Sequence, residues 1–236
     1  MTVLSIVQQA CPVIGLAVPT ALFGQTDDTS VQLQGAINEV ASMVAFDSGH
    51  DWVKLTATAT ITGDGASTAF NMPSDYRRML KKARLWPSSS PFAPYTHYPD
   101  PDVWLGIQVQ LWTPVIGAWT IIGSQINILP TLANAATVKY MYMQNTPVRS
   151  SGNAAQTQFL ADNDTYLLGE RLLKLAFIYH WKQNRGQDFS EALVDYQNSL
   201  AEHIGNDKGS KVLTVGQSRM PNGRIGDVAF PNVLGH

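Results

Sequence analysis

The chain has 236 residues, of which 44% are hydrophobic and only 14% charged, with a formal net charge of −2. That length allows one large domain or two small ones with a core that needs no staples; the lone Cys11 excludes an internal disulfide and a cysteine-based zinc site, and the near-neutral balance excludes a protein basic throughout, as a general nucleic-acid binder would be. A charged fraction well below the usual ~25% leaves much weakly charged surface, which suits permanent subunit contacts and points to an oligomer.

Residues 3–14 place Leu4, Val7, Cys11 and Ile14 on one helical face, with Thr2 as N-cap and Pro12 set to kink or end the helix early. The apolar stretch from Ala10 to Phe23 has no basic segment before it, is interrupted by Pro12, Gly15 and Pro19, and falls short of the ~20 residues of a membrane span, so neither an export signal nor an anchor is expected. After a loop over 19–28, Asp28 or Thr29 caps a second helix in which Leu33, Ile37, Val40 and Val44 recur at helical spacing, ending near Ser48-Gly49.

From Trp52 the period changes to two. Val53, Leu55, Ala57, Ala59 and Ile61 alternate with Lys54 and a series of threonines, which predicts a half-buried strand. Asp64-Gly65 predicts a tight hairpin, with Thr68 to Met72 as the returning strand. Further strands are expected at 83–86, 109–112, 119–129 and 137–144, and the proline-rich run from Pro87 to Pro101 as an irregular excursion. Residues 149–157 have the composition of a flexible linker.

Helical spacing returns at Asn163 or Asp164, with Leu168, Leu172, Leu175 and Tyr179 on one face and Glu170 and Lys174 as an i,i+4 pair. Gly186 suits the end of that helix, and Asp188 or Ser190 caps a last one bearing Leu193, Tyr196, Leu200 and Ile204. Regular spacing stops after Gly205. The expected fold class is therefore α+β: a bundle of four helices from residues 1–50 and 149–205, an inserted antiparallel β lobe over 51–148, and an extended C-terminal arm over 206–236.

Signatures of catalysis are sparse. None of the five histidines has an i,i+4 histidine partner; His97, Asp100 and Asp102 form the nearest approach to a hard-metal cluster, but Pro99 and Pro101 hold that segment extended and splay the carboxylates. Gly63-Asp64-Gly65 joins two strands rather than a strand and a helix and lacks the Lys-Ser/Thr end of a phosphate loop. Paired acids such as Asp27-Asp28 sit at helix starts, where capping accounts for them. No catalytic, cofactor or metal site is predicted, and the chain reads as a structural protein rather than an enzyme.

One segment is rich in charge: Arg77, Arg78, Lys81, Lys82 and Arg84 lie within eight residues. They read either as a contact for phosphates or an acidic partner, or as a solvated turn between strands. The six tryptophans and eight tyrosines fall mostly in strands or on apolar helix faces, which suits core packing better than base or sugar stacking.

Three stretches together resemble one family. The first runs from Gly24-Gln25-Thr26-Asp27-Asp28 through Gln32-Leu33 and Ala36-Ile37-Asn38-Glu39 to the corner at Asp51-Trp52. The second is Phe70-Asn71-Met72-Pro73-Ser74-Asp75-Tyr76-Arg77-Arg78, similar to an aromatic-x-Leu-Pro-x-Asp-Phe/Tyr-x-Arg signature. The third begins at Tyr179-His180-Trp181-Lys182, continues through Arg185-Gly186-Gln187-Asp188-Phe189 and Tyr196, and ends at Lys208-Gly209-Ser210-Lys211-Val212-Leu213. In their order and spacing they resemble bacteriophage head-to-tail adaptors of the tail-tubular type found under podovirus portals; the proline at 12, the excursion over 87–101 and the tail beyond Gly216 depart from that pattern.

The resemblance implies a ring, typically twelve-fold, beneath the portal, in the neck of the virion, with the host cytoplasm as the place of assembly. Its partners would be the portal protein, a tail or nozzle protein and further copies of itself; double-stranded DNA would pass through the lumen without sequence-specific contacts, and no membrane or cofactor would be involved. The C-terminal arm would dock on the portal. Lys208, Lys211, Arg219 and Arg224 supply its positive charge, and Phe230 and Leu234, with Val228 and Val233, its apolar anchors. The 77–84 cluster would touch DNA or a neighbouring subunit. Two readings of other classes remain beside this one: a carbohydrate-binding β module of a virion or surface protein, and a nucleic-acid-binding protein that uses the basic 77–84 segment.

Overall fold

The computed structural model of the chain describes residues 1–88, 93–110 and 116–207. Its fold is mixed α and β, with helices α1 (Val3–Ala10), α2 (Asp28–Ser42), α3 (Pro101–Val109), α4 (Glu170–Asn184) and α5 (Ser190–Asp207). Helix α1 starts where the Thr2 hydroxyl accepts from the Ser5 N–H and stops at Cys11, one residue before Pro12, because proline cannot donate the next helical bond. Asp27, one residue ahead of the predicted cap, accepts from the Ser30 N–H at 3.0 Å and opens α2, which runs on into a π-helical turn over Met43–Asp47. Leu33, Ile37, Val40 and Val44 are all buried, as their spacing predicts.

Helix α4 begins at Glu170, later than expected. The Asp164 carboxylate instead closes a local turn, accepting from Leu160 N–H at 2.7 Å and Ala161 N–H at 2.9 Å, and residues 165–166 are drawn into a strand. The two members of the expected i,i+4 pair both reach toward α1: Glu170 takes the amino group of Met1 and the Lys174 ammonium donates to Gln9. Gly186, at φ +65°, reverses the chain into α5, whose start is held by Asp188 accepting from Ser190 N–H at 3.0 Å.

One apolar core takes residues from both ends of the chain: Ile6 and Val7 of α1, Ile37 of α2, Leu173 and Phe177 of α4, and Tyr196 of α5. The Tyr166 hydroxyl donates to the Ala41 carbonyl at 2.8 Å inside it. The terminal helical segments therefore close on each other, as the two-ended hydrophobic pattern required.

The strands are β1 (Thr56–Thr62), β2 (Ala69–Asn71), β3 (Tyr76–Met79), β4 (Trp86–Pro87), β5 (Thr96–His97), β6 (Ala118–Ile122), β7 (Gln125–Leu129), β8 (Thr137–Gln144), β9 (Val148–Arg149), β10 (Ala155–Gln156) and β11 (Thr165–Tyr166). A first sheet has the order β1-β8-β3, with β4 also on β8; a second has the order β2-β7-β6-β5; and β10-β9-β11 form a small third. All pairs are antiparallel except β5 with β6.

The strands depart from the expected pattern at several points. Asp64-Gly65 does not close a hairpin. Asp64 accepts from the N–H groups of Ala66 and Ser67, and β2 leaves β1 to pair with β7 in the other sheet. Gly63 explains the diversion: a Cβ there would sit 2.4 Å from the Ala133 carbonyl oxygen, so the chain passes hard against the 132–133 backbone rather than turning back. The run at 119–129 splits into β6 and β7 around Gly123 and Ser124, both at positive φ, a pair of values that suits a tight hairpin.

The proline-rich excursion holds more order than its composition suggests. It carries β5 and then α3, where Asp100 caps by accepting from Asp102 N–H at 2.9 Å and Pro101 takes the first helical position. Val109, expected in a strand, ends that helix; residues 111–112 of the same expected strand, and 89–92 of the excursion, lie outside the described residues. Residues 149–157, expected as a linker, contribute β10 and the end of β9, closed by Ser150 N–H donating to Ala154 at 2.9 Å.

The two larger sheets face each other. Trp119, Ile126 and Ile128 of the second share a core with Ile61, Val138, Tyr140 and Tyr142 of the first. Because side chains alternate along a strand, Ala118 and Leu129 face the other way, where they meet Trp104 and Ile107 of α3. The order through this part of the molecule is α3, second sheet, first sheet, with the far face of β8 outermost.

Candidate interaction surface

The five cations of the 77–84 segment divide into two groups. Arg78 pairs with Asp51 at 2.5 Å and donates to the carbonyls of His50 and Met79, both at 3.1 Å. The Arg77 guanidinium lies 4.9 Å from the centroid of the Phe46 ring. Both fasten β3 to the stretch after α2, Arg77 at the π-helical turn and Arg78 at residues 50–51. Lys81, Lys82 and Arg84 are exposed. The loop that displays them is fixed from below by Lys81 N–H donating to Asp51 at 3.0 Å, by a turn from Ala83 N–H to Leu80, and by the fully buried Leu85.

These three cations line a groove of about 650 Å³ on the outer face of the first sheet, together with Trp86, Lys139 and Met141. Lys139 stands opposite Trp86 in the β4–β8 pair, and Met141 opposite Thr58 in the β1–β8 pair. Trp86 is 39% exposed and Met141 51%. Asp51, which also lines the groove, has its charge met by Arg78. A second hollow, of about 450 Å³, lies along Lys82 to Arg84 and is bounded by Tyr95, His97 and Trp119. His97 stacks on Trp119 at 4.0 Å, and burial lowers its pKa, so the ring favours its neutral form.

Lys139 was not singled out by sequence. Alternation marks it as an outward residue of β8, but its place beside the 77–84 cations follows only from β4 pairing with β8. The arrangement is positively charged, partly apolar and open; it suits an anionic surface that also presents apolar side chains.

The conspicuous Phe70–Arg78 stretch proves structural. The Asp75 carboxylate accepts from the Tyr142 hydroxyl at 2.8 Å and the Gln144 amide at 2.5 Å, and its carbonyl from Asn145 N–H at 2.8 Å. The residue therefore ties the start of β3 to the end of β8. Burial pushes its carboxyl upward, but the bonds from Gln144 and Tyr142 outweigh this and leave it below the ordinary carboxylate value. Burial raises Tyr142, with Asp75 adding to the effect. Tyr76 packs on Tyr142, centroids 5.8 Å apart, and adds an aromatic face to the core between the sheets.

The three distinctive sequence stretches meet in space. Arg78 of the second binds Asp51 of the first; Arg185 of the third donates to Gln32, and the buried His180 lies 3.7 Å from Glu39, both of the first. Asp207, the last described residue, contacts His50 at 3.0 Å and accepts from Val53 N–H at 3.0 Å, so the end of α5 is fixed beside the same corner. Lys208, Lys211, Arg219, Arg224, Phe230 and Leu234 lie outside the described residues.

Trp52, Trp104, Trp119 and Trp181 are buried, which disfavours a platform for stacked sugars; Trp86 is exposed, and Trp112 is not among the described residues. His97, Asp100 and Asp102 do not converge: the first stacks on an indole while the second caps α3. Among the described residues there is no group of three or more metal-ligating side chains, and no helix long and apolar enough to cross a membrane.

Among known protein families, the model of the SU10 adaptor protein family matches residues 1–219 of the chain. No curated protein matches it.

Proposed function

The chain belongs to the SU10 adaptor protein family, a family of phage head-to-tail adaptors, and from that premise we propose that it works as a ring of identical subunits that joins the portal to the tail and prolongs the DNA channel. Family membership makes it a structural adaptor of the virion, with portal and tail proteins as its partners. In the finer reading, the helices from both chain ends form a four-helix bundle, the sheets project as a contact lobe, and twelve subunits close the ring. The duty is adhesive and mechanical rather than catalytic.

The observation that carries this reading is the family match over residues 1–219, with the three distinctive stretches brought together around one core. Such a scaffold packs α1 and α5 into one core and leaves charge on the sheet face. The C-terminal arm is the proposed portal anchor: beyond Asp207 the sequence holds Lys208, Lys211, Arg219 and Arg224 against Asp227 as its one acid. A basic segment with apolar anchors suits an acidic partner surface. Weak docking by each arm becomes firm attachment when repeated around a ring.

Deleting residues 217–236 tests this. The truncated subunit should keep its fold by circular dichroism and lose attachment to portal in co-sedimentation. Attachment equal to that of the full chain would overturn the portal-anchor role.

A further inference from the structure

We propose that neighbouring subunits join head to tail, with α3 of one seated in the basic groove of the next. The inference rests on the ring reading and names the surfaces that close it. A cyclic ring needs a heterologous contact: two different patches on one subunit, each complementary to the other. The β region offers such a pair. The groove on the outer face of β8 presents Lys81, Lys82, Arg84 and Lys139 around the exposed Trp86 and Met141.

Across two sheets, on the opposite outer face, stands α3. Its Trp104 and Ile107 pack inward, and on the far side Leu105 at 54% and Val109 at 72% are exposed one helical turn apart. Asp100 and Asp102 are exposed at its start, and residues 100–110 contain no Lys or Arg. The partial positive charge of a helix N-terminus, roughly half a unit, does not cancel two carboxylates. One face is therefore an apolar ridge with negative charge, the other an apolar hollow with positive charge.

Opposite placement matters as much as opposite sign. Two complementary patches on the same face would favour a closed pair of subunits, whereas patches on opposite faces make each subunit both donor and acceptor and propagate the contact. The occupant of the groove is thus a second copy of this chain, and the apolar side chains on both faces become covered together.

Charge reversal tests the pairing, with the full chain, its portal and negative-stain microscopy. Lys82→Glu with Arg84→Glu and Lys139→Glu inverts the groove. Asp100→Asn with Asp102→Lys inverts the ridge while keeping a capping side chain at position 100. Each set alone should abolish rings while the circular dichroism spectrum stays unchanged, and both sets in one chain should restore them. Rings from either single set, or no recovery in the combined chain, would overturn the proposed interface. Groove variants that still form rings but lose salt-sensitive binding to double-stranded DNA would reassign the groove to nucleic acid. If the unaltered chain forms no rings with portal, the ring reading itself fails, and that result is distinct from the others.

Discussion

Arg78 and Asp51 meet at 2.5 Å, and through this contact the most distinctive cation of the basic segment is committed to the fold rather than to a partner. The Asp51 side chain is 11% exposed and that of Arg78 32%, so the pair is neither fully buried nor freely solvated. Arg78→Ala should lower stability by about 1–3 kcal/mol, because the His50 and Met79 carbonyls lose a charged donor along with the pair. Lys82→Ala, at an exposed site, should stay within about 0.5 kcal/mol. Urea unfolding of the two variants separates the structural from the displayed part of the segment.

Asp75 gives the acid side of the stability profile. Its carboxyl is lowered in the fold by Gln144 and Tyr142 despite the opposing effect of burial. A lowered carboxyl contributes stability that is present above the ordinary carboxylate pKa, about 4, and is lost as the pH falls through the folded value. Asp75→Asn should therefore cost about 1–3 kcal/mol at neutral pH and make the loss of stability below about pH 4 shallower than in the unaltered chain. Denaturant midpoints measured from pH 2 to 7 check both the offset and the slope.

Gly169 precedes α4 at φ +141°, and a Cβ there would lie 2.8 Å from His203 Nε2. The His203 ring cannot swing away cheaply, since its Nδ1 lies 2.8 Å from the Ser199 carbonyl. Gly169→Ala should cost roughly 2–4 kcal/mol from backbone strain and overlap combined. Adding His203→Ala should recover the overlap but not the strain, a partial rescue visible in thermal melts.

The Gly63 position makes a second test of close packing. Its would-be Cβ meets backbone at Ala133 and Leu132 rather than a movable side-chain tip. Gly63→Ala should destabilise the subunit by well over the ~0.5 kcal/mol of an ordinary surface change and should shift the β1–β8 amides in NMR spectra. Unshifted spectra would contradict the packing described for this corner.

The sequence made the long periodic elements legible, because burial imposes their spacing. Leu33, Ile37, Val40 and Val44 went to the core as spaced, β8 runs over the expected 137–144, and Gly186 reverses the chain where expected. What stayed hidden depends on partners distant in the chain. Asp64-Gly65 has a hairpin's composition, yet the contact of Gly63 with residues 132–133 sends β2 to another sheet. Helix α3 was masked by prolines that mark loops in general, although Asp100-Pro101 also forms a sound helix start.

Strands of two residues, such as β5 and β9, are too short for any period to show. The candidate surface was half visible. The 77–84 cluster was conspicuous, but its division by Asp51 and Phe46, and the arrival of Lys139 beside Trp86, required the folded pairing.

Whether the subunits join portal to tail as a ring can be seen by electron microscopy of the full chain mixed with its portal protein. Closed rings should sit on the portal, with the β8 face of each subunit against α3 of the next. Portal particles left bare, with the chain remaining as single subunits in the background, would contradict this arrangement.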